Sequence, residues 1–281
     1  MRGDVRLNSC RPIYGKDRDI FGMQGTVRER ASARYHDQPP CMEGAQAPAR
    51  APTAGVQVEL AVRFLGRVPY EEALCLQEKL VDHKLHAGGA DSLLVLEHEP
   101  VFTLGRGARE ADLRGADRRL GIPVFRVGRG GGVTYHGPGQ LVAYPIVRLP
   151  VPDVRAYVQF LLRVVSEVCA TYRIEARVDE EKVGVWAKGG KVASLGIGLR
   201  RWVAFHGLAL NVKRQCVHPF QAIVPCRTPG LAFTSLEDAS GETLGLEEVA
   251  VRFCDCFVRG WSEFRGWRDR GGSQTAASSV A

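Results

Sequence analysis

The chain has 281 residues and a formal net charge of +7, with 45% apolar and 25% charged residues, the make-up of a soluble globular protein with chain enough for a full core. No apolar run approaches the about 18 residues of a membrane helix; the longest, such as "LLVLEHEPVFTL", carry charges and a proline, so no membrane association is expected. The positive charge suits plain solubility or an acidic partner, and the lack of a dense Lys/Arg block with interleaved aromatics argues against nucleic acid.

Residues 1–54 are rich in Ala, Pro, Arg and Gly and carry no sustained apolar period, so a disordered N-terminal extension is expected. It has no apolar stretch of a secretory signal. Asp4, Asp17, Asp19, Glu29, Asp37 and Glu43 argue against a mitochondrial transit peptide, and Met23 and Met42 are internal alternative starts. One domain is expected over 55–268, and 269–281 forms a second disordered tail.

Within that domain "VQVELAVRF" reads as a strand, and "YEEALCLQEKLVDHKLH" as a helix with Ala73, Leu76, Leu80 and Val81 on one stripe. "SLLVLEH" and "VFTL" read as strands split by Pro100, and "PVFRV" and "LVAYPIVRL" flank a glycine-rich stretch. "DVRAYVQFLLRVVSEVCATY" is the strongest helix, with Asp153 as N-cap. "VGVWAK" and "KVASLGI" read as strands of a tight hairpin turning at Gly189-Gly190. "WVAFHGLALNV" continues the sheet and "LEEVAVRFCDCFVRGWSEF" is an amphipathic closing helix. Strands covered by two or three helices predict an α/β or α+β fold, a mixed sheet flanked by helices.

Arg129 to Gln140, "RGGGVTYHGPGQ", holds five glycines and suits neither helix nor regular strand. Glycines concentrate where backbone takes positive φ or must approach something closely. The GxGxxG pattern fails, because its sixth position falls on Val133 or Tyr135, and "GGKV" at 189–192 lacks the hydroxyl of a P-loop. What remains is either a plain surface loop or a substrate-lining loop, with Arg129, Tyr135 and His136 setting polar contacts at its mouth.

Eight cysteines lie at 10, 41, 75, 169, 216, 226, 254 and 256, with no CxxC or zinc-finger spacing, which suits small buried hydrophobes in a reducing, cytoplasmic compartment. Cys216 and His218 alone make a poor metal site, and no metal is expected. Cys226 sits in a loop after Pro225. It reads as a buried hydrophobe or, beside a cation, as a reactive thiolate. Lys191 after the hairpin reads as a solvated lysine or as that cation, and His136, His206 and His218 are the alternative partners. Spacing does not choose between lysine and histidine.

Three blocks, "RGGGVTYHGPGQLVAYPI", "KVASLGIGLRRWVAFHGLALNV" and "VPC…FTSL", together resemble the lipoate-protein ligase B family, the octanoyltransferases, in order over about residues 57–265. The resemblance implies the single-domain fold of biotin and lipoate protein ligases. It implies transfer of an octanoyl group from octanoyl-acyl carrier protein to a specific lysine of lipoyl domains in 2-oxoacid dehydrogenase E2 subunits and the glycine cleavage H protein. By motif, Cys226 carries the acyl group as a thioester and Lys191 lowers the pKa of that cysteine. Substrate lines Arg129, Gly130, Gly131, Gly132, Val133, Thr134, Tyr135 and His136, then Ser194, Leu195 and Gly196, then Gly207, Leu208 and Ala209. No cofactor is implied. The chain departs from the family at Pro225-Cys226-Arg227, where glycine usually follows the cysteine. Two rival readings are an ATP-dependent lipoate or biotin ligase, for which "GRGARE" at 105–110 is the nearest adenylate loop, and a non-catalytic lipoyl-domain-binding relative.

Overall fold

The computed structural model describes residues 60–179, 182–225 and 228–266. The segments expected to be disordered, 1–54 and 269–281, lie outside the described residues.

Strands Leu60–Val68 (β1) and Asp91–His98 (β2) pair in parallel through the helix Tyr70–Ala87 (α1). The main sheet continues antiparallel through Gln140–Arg148 (β6), Val203–Asn211 (β10), Gly190–Arg200 (β9), Gly184–Ala187 (β8) and Arg177–Asp179 (β7). A smaller sheet is built from Val101–Leu104 (β3), flanked by Val124–Arg126 (β4, parallel) and Val133–His136 (β5, antiparallel). Helices Val154–Thr171 (α3) and Leu246–Gly266 (α5) complete the main layers; Ala116–Leu120 (α2) and Leu236–Ser240 (α4) are single short turns of helix. The expected mixed sheet flanked by helices is what the chain forms.

β2 and β6 read as near-continuous apolar runs because both their faces are covered. Leu93, Val95, Leu141, Ala143 and Val147 pack under α3 and α5. The alternate residues Leu94, Leu96, Val142, Tyr144 and Ile146 pack under α1, against Ala73 and Val81. Leu76 and Leu80 of the expected stripe lie against the same cluster. α3 begins where its sequence says: the Asp153 carboxylate accepts from the Ala156 N–H at 2.9 Å, satisfying a donor that has no partner within the helix. A third cluster holds the small sheet together around Phe102, Leu104, Val133, Tyr135 and Phe220.

Two local expectations need correction, and one short strand is additional to those expected. Val133–His136 of the glycine-rich stretch is a strand, because its four residues find the open edge of β3 with Val101 opposite His136 and Leu104 opposite Val133. Arg177–Asp179 is a further short strand on the edge of β8. The β8–β9 hairpin turns at Lys188-Gly189 rather than Gly189-Gly190, since Ala187 pairs with Gly190; Gly189 has φ 94° and Gly190, already in the strand, φ 148°. Among the described residues no helix is long and apolar enough to cross a membrane.

Candidate active site

The strands bring the three sequence blocks to one cleft where the small sheet meets β9 and β10. Antiparallel pairing sets Gly207 opposite Gly196, Leu208 opposite Leu195 and Ala209 opposite Ser194. The glycine-rich stretch closes over this pair, with the Gly130 N–H donating to the Ile197 carbonyl at 3.0 Å. It is held from the other side by Gly105–Gly107, through Arg106 N–H to Arg129 O at 3.0 Å and Gly107 N–H to Gly131 O at 3.0 Å. Gly131 takes φ 86° in doing so.

The cleft is lined by Arg129, Gly131 to Thr134, His136, Lys191, Ser194 to Gly196 and Gly207 to Ala209. The structure therefore gathers nearly all of the residues that the resemblance singled out. Gly130 and Tyr135 are not in the lining. Tyr135 alternates away from His136 along β5 and packs in the small-sheet core, 5.7 Å from the Phe102 ring and 5.9 Å from that of Phe220, so it sets no polar contact at the mouth. The lining also contains Tyr70, Tyr144, His206, Pro225 and Phe233. His206 is expected only as a partner for cysteine; Tyr144 and Phe233 fall inside the quoted blocks without being singled out, and Tyr70 of α1 lies outside every block. Cys226 and Arg227 lie outside the described residues. Pro225, immediately before them, is buried in the lining. His218 is exposed on a 3-10 turn and is not among the lining residues.

Lys191 is not the solvated hairpin lysine that its position suggests. Its residue is 1% exposed, and Nζ donates to the carbonyls of Lys182 at 2.8 Å and Val183 at 2.9 Å. The stem crosses Gly184, where a Cβ would lie 2.2 Å from Lys191 Cε. Trp186 covers the amine, 5.9 Å from ring centroid to Nζ. A second cation is buried close by. The Arg129 guanidinium donates to Thr103 Oγ1 at 2.7 Å, Thr103 O at 2.8 Å and Gly130 O at 2.9 Å. Its fork fastens the glycine-rich stretch to β3.

The histidines around the cleft are neutral. His136 Nδ1 lies 2.7 Å from Gln140 Oε1. Burial pushes its pKa well below the ordinary histidine value, with His98 and Arg129 adding to the fall and the Gln140 contact opposing it. Burial brings His98 down to about 4; its Nδ1 meets the Val68 carbonyl at 3.0 Å and its Nε2 the Tyr144 hydroxyl at 2.8 Å. His206 is also held at about 4, by burial first and then by Arg129 and Arg106. Its backbone sits at φ 55°, its N–H donates to Gln77 Oε1 at 2.9 Å, and neither ring nitrogen has a hydrogen-bond partner among the described residues. Among the described residues no group of three or more His, Cys, Asp or Glu could hold a metal. Chemically, the cleft offers an apolar wall, two buried cations and neutral imidazoles.

Comparison with known proteins agrees. The family model described as the lipoyl protein ligase A/B catalytic domain matches residues 69–258. The octanoyltransferase of Citrifermentans bemidjiense is 45% identical over 195 residues, 67% of this chain and 93% of that protein. The octanoyltransferase of Geotalea uraniireducens is 41% identical over 207 residues, 73% of this chain and 94% of that one. Among solved structures, the bipartite lipoate protein ligase of Thermoplasma acidophilum superposes with a TM-score of 0.54 at 17% identity, covering 72% of this chain and 82% of its own. A lipoate-protein ligase A bound with ATP gives a TM-score of 0.54 at 18% identity, over 73% of this chain and 84% of that one. These two likenesses carry the fold, and the sequence relatives carry the branch: the chain belongs to the lipoyl protein ligase A/B catalytic-domain family and, within it, groups with the octanoyltransferases, which are acyl-transfer enzymes.

Proposed function

We propose that the protein takes an octanoyl group from octanoyl-acyl carrier protein onto Cys226 and passes it to a specific lysine of a lipoyl domain. The acceptors are the lipoyl domains of 2-oxoacid dehydrogenase E2 subunits and the glycine cleavage H protein, and the reaction belongs to the reducing cytoplasm. One observation carries this reading: Lys191, a buried cation, and Pro225, the residue before Cys226, line the same cleft.

Thioester exchange between carrier and Cys226 is close to balanced in energy, so the acyl group moves without nucleotide. A cation beside a thiol favours the thiolate, the reactive form and the better leaving group. Attack by a lysine amine then makes an amide and runs downhill. The octanoyl chain lies between the glycine-rich stretch and the β9–β10 pair, gaining about 0.8 kcal/mol for each CH₂ removed from water. Backbone N–H groups near Leu195 and Gly196 are candidates to meet the oxyanion. The +7 net charge speeds encounter with an acidic carrier protein.

Intact-mass spectrometry after mixing the full chain with octanoyl-acyl carrier protein, without ATP, tests the reading. A gain of one octanoyl group that hydroxylamine removes, and that Cys226→Ser lacks, is the expected result. Acylation that requires free octanoate and ATP moves the protein to the ligase reading. Carrier binding with no acylation under either condition makes it a binding relative.

A further inference from the structure

The cleft contains a histidine whose tautomer is fixed from outside. The carbonyl of Thr234 can only accept, and Asn211 Nδ2 lies 3.0 Å from it, so the nitrogen of that amide faces Thr234. Asn211 Oδ1 is then the acceptor for Gln140 Nε2 at 2.9 Å, and the same Nε2 donates to Tyr135 O at 3.3 Å. Gln140 Oε1 therefore faces His136 at 2.7 Å, and His136 must carry its proton on Nδ1. Asn211, Gln140 and His136 are all buried, so water does not scramble this assignment. Nε2 of His136 is left with a lone pair and no hydrogen-bond partner among the described residues, in a side chain that lines the cleft. The first link also ties the histidine to the lysine strand, because the Thr234 N–H donates to the Lys191 carbonyl at 3.1 Å.

A relay of three amide groups that ends on one imidazole is costly to bury for packing alone. It presents a neutral, oriented proton acceptor to the cleft, next to the strand that bears Lys191. We infer that His136 Nε2 is the base of the second half-reaction, accepting the proton released when the acceptor lysine's amine attacks the octanoyl thioester. This rests on the acyl-thioester reading given above. The step balances. The amine nitrogen bonds to the thioester carbon, its proton passes to Nε2, and the C–S bond breaks to release the Cys226 thiolate. The imidazolium then gives its proton to solvent. Thioester exchange in the first half-reaction swaps one thiolate for another and needs no such base. The groups that face His136 set its proton affinity: Tyr70 of α1 at 6.3 Å and His98 of β2 at 5.8 Å between ring centroids, with Arg129 and His206 acting on it through charge. Gln140 and Asn211 act through the histidine and are positioning residues.

The test separates the two half-reactions in the full chain. Octanoyl-enzyme is formed from octanoyl-acyl carrier protein, isolated, and mixed with a lipoyl domain carrying one acceptor lysine. For His136→Ala, transfer to the lysine is expected to fall by about 10²-fold or more, while acyl-enzyme formation loses far less. Added imidazole restores part of the transfer rate, and cleavage of the acyl-enzyme by hydroxylamine, a neutral nucleophile at pH 7, changes little. His136→Asn, which keeps a polar planar group, shows the same split if His136→Ala is poorly folded. Wild-type transfer rates in both variants overturn the inference, as does an equal loss in both half-reactions with no imidazole rescue. Absence of acyl-enzyme in the wild-type protein is a different failure, and it overturns the thioester reading itself.

Discussion

The carbonyl of Lys191 and Nδ1 of His136 stand at the two ends of an unbroken chain of four hydrogen bonds, running through Thr234, Asn211 and Gln140 with links of 3.1, 3.0, 2.9 and 2.7 Å. The chain spans both sheets, since Lys191 belongs to β9 and His136 to β5. Cutting it in the middle tests both stability and chemistry. Asn211→Leu leaves the Thr234 carbonyl and one Gln140 donor buried without their partner, at roughly 1–3 kcal/mol. The chemical denaturation midpoint should fall accordingly. Lysine transfer should drop further than acyl-enzyme formation, because Gln140 is then free to turn its amide and present a donor to His136.

The setting of Lys191 predicts how the thiol behaves. Lys191→Met keeps an unbranched stem over Gly184 and removes the cation. The iodoacetamide alkylation of Cys226, followed by peptide mass mapping, should then move to higher pH, as expected when an opposite charge beside a thiol is lost. The other cysteines supply an internal reference, because burial holds Cys169, Cys216 and Cys254 up at about 12 and they stay unreactive near neutrality. An unchanged Cys226 profile would take the electrostatic role away from Lys191.

The sequence was most legible where a single element decides the pattern. α3 could be bounded at Asp153 because its cap is local, and β2 and β6 could be found because burial on both faces makes them continuously apolar. The cleft was legible only through its motifs. Tyr70 and Tyr144 line it, with His98 packed behind them, because α1 and β2 sit beside β6 in the sheet order 1-2-6-10-9. No spacing along the chain announces that. Lys191 reads as solvated for a similar reason: it is held by the carbonyls of Lys182 and Val183, covered by Trp186 of β8, and bounded by Ala232 to Thr234, which follow β10. Tyr135 looked like a partner of His136 because they are adjacent, yet alternation along a strand sends neighbours to opposite faces.

Gly207 lies where β10 passes β6 at close range. A Cβ there would sit 2.3 Å from the Ala143 carbonyl and 2.7 Å from Pro145 Cδ, and backbone in a central strand yields little. Gly207→Ala should cost roughly 2–3 kcal/mol by overpacking and lower the octanoyl transfer rate, since the shift falls on the cleft wall. Gly128→Ala is the control. It meets nothing within 4 Å and should change the melting temperature and the rate only within error.

Acid should unfold the protein through its buried imidazoles. His98 titrates at about 4 in the folded chain against an ordinary 6.5, and His206 behaves alike. A base whose folded pKa is depressed is bound to more protons when unfolded. Its contribution is therefore complete above pH 6.5 and is lost as pH falls toward 4. For His98 the full loss is roughly 3 kcal/mol, at about 1.4 kcal/mol per pH unit. Urea midpoints measured from pH 7.5 to 4.5 should fall steadily below about 6.5. His98→Gln keeps one hydrogen-bonding group for Tyr144 but cannot be protonated. It should be less stable at pH 7.5 and lose less on acidification, so the two curves converge. A parallel offset at every pH would mean that protonation of His98 has no part in the acid transition.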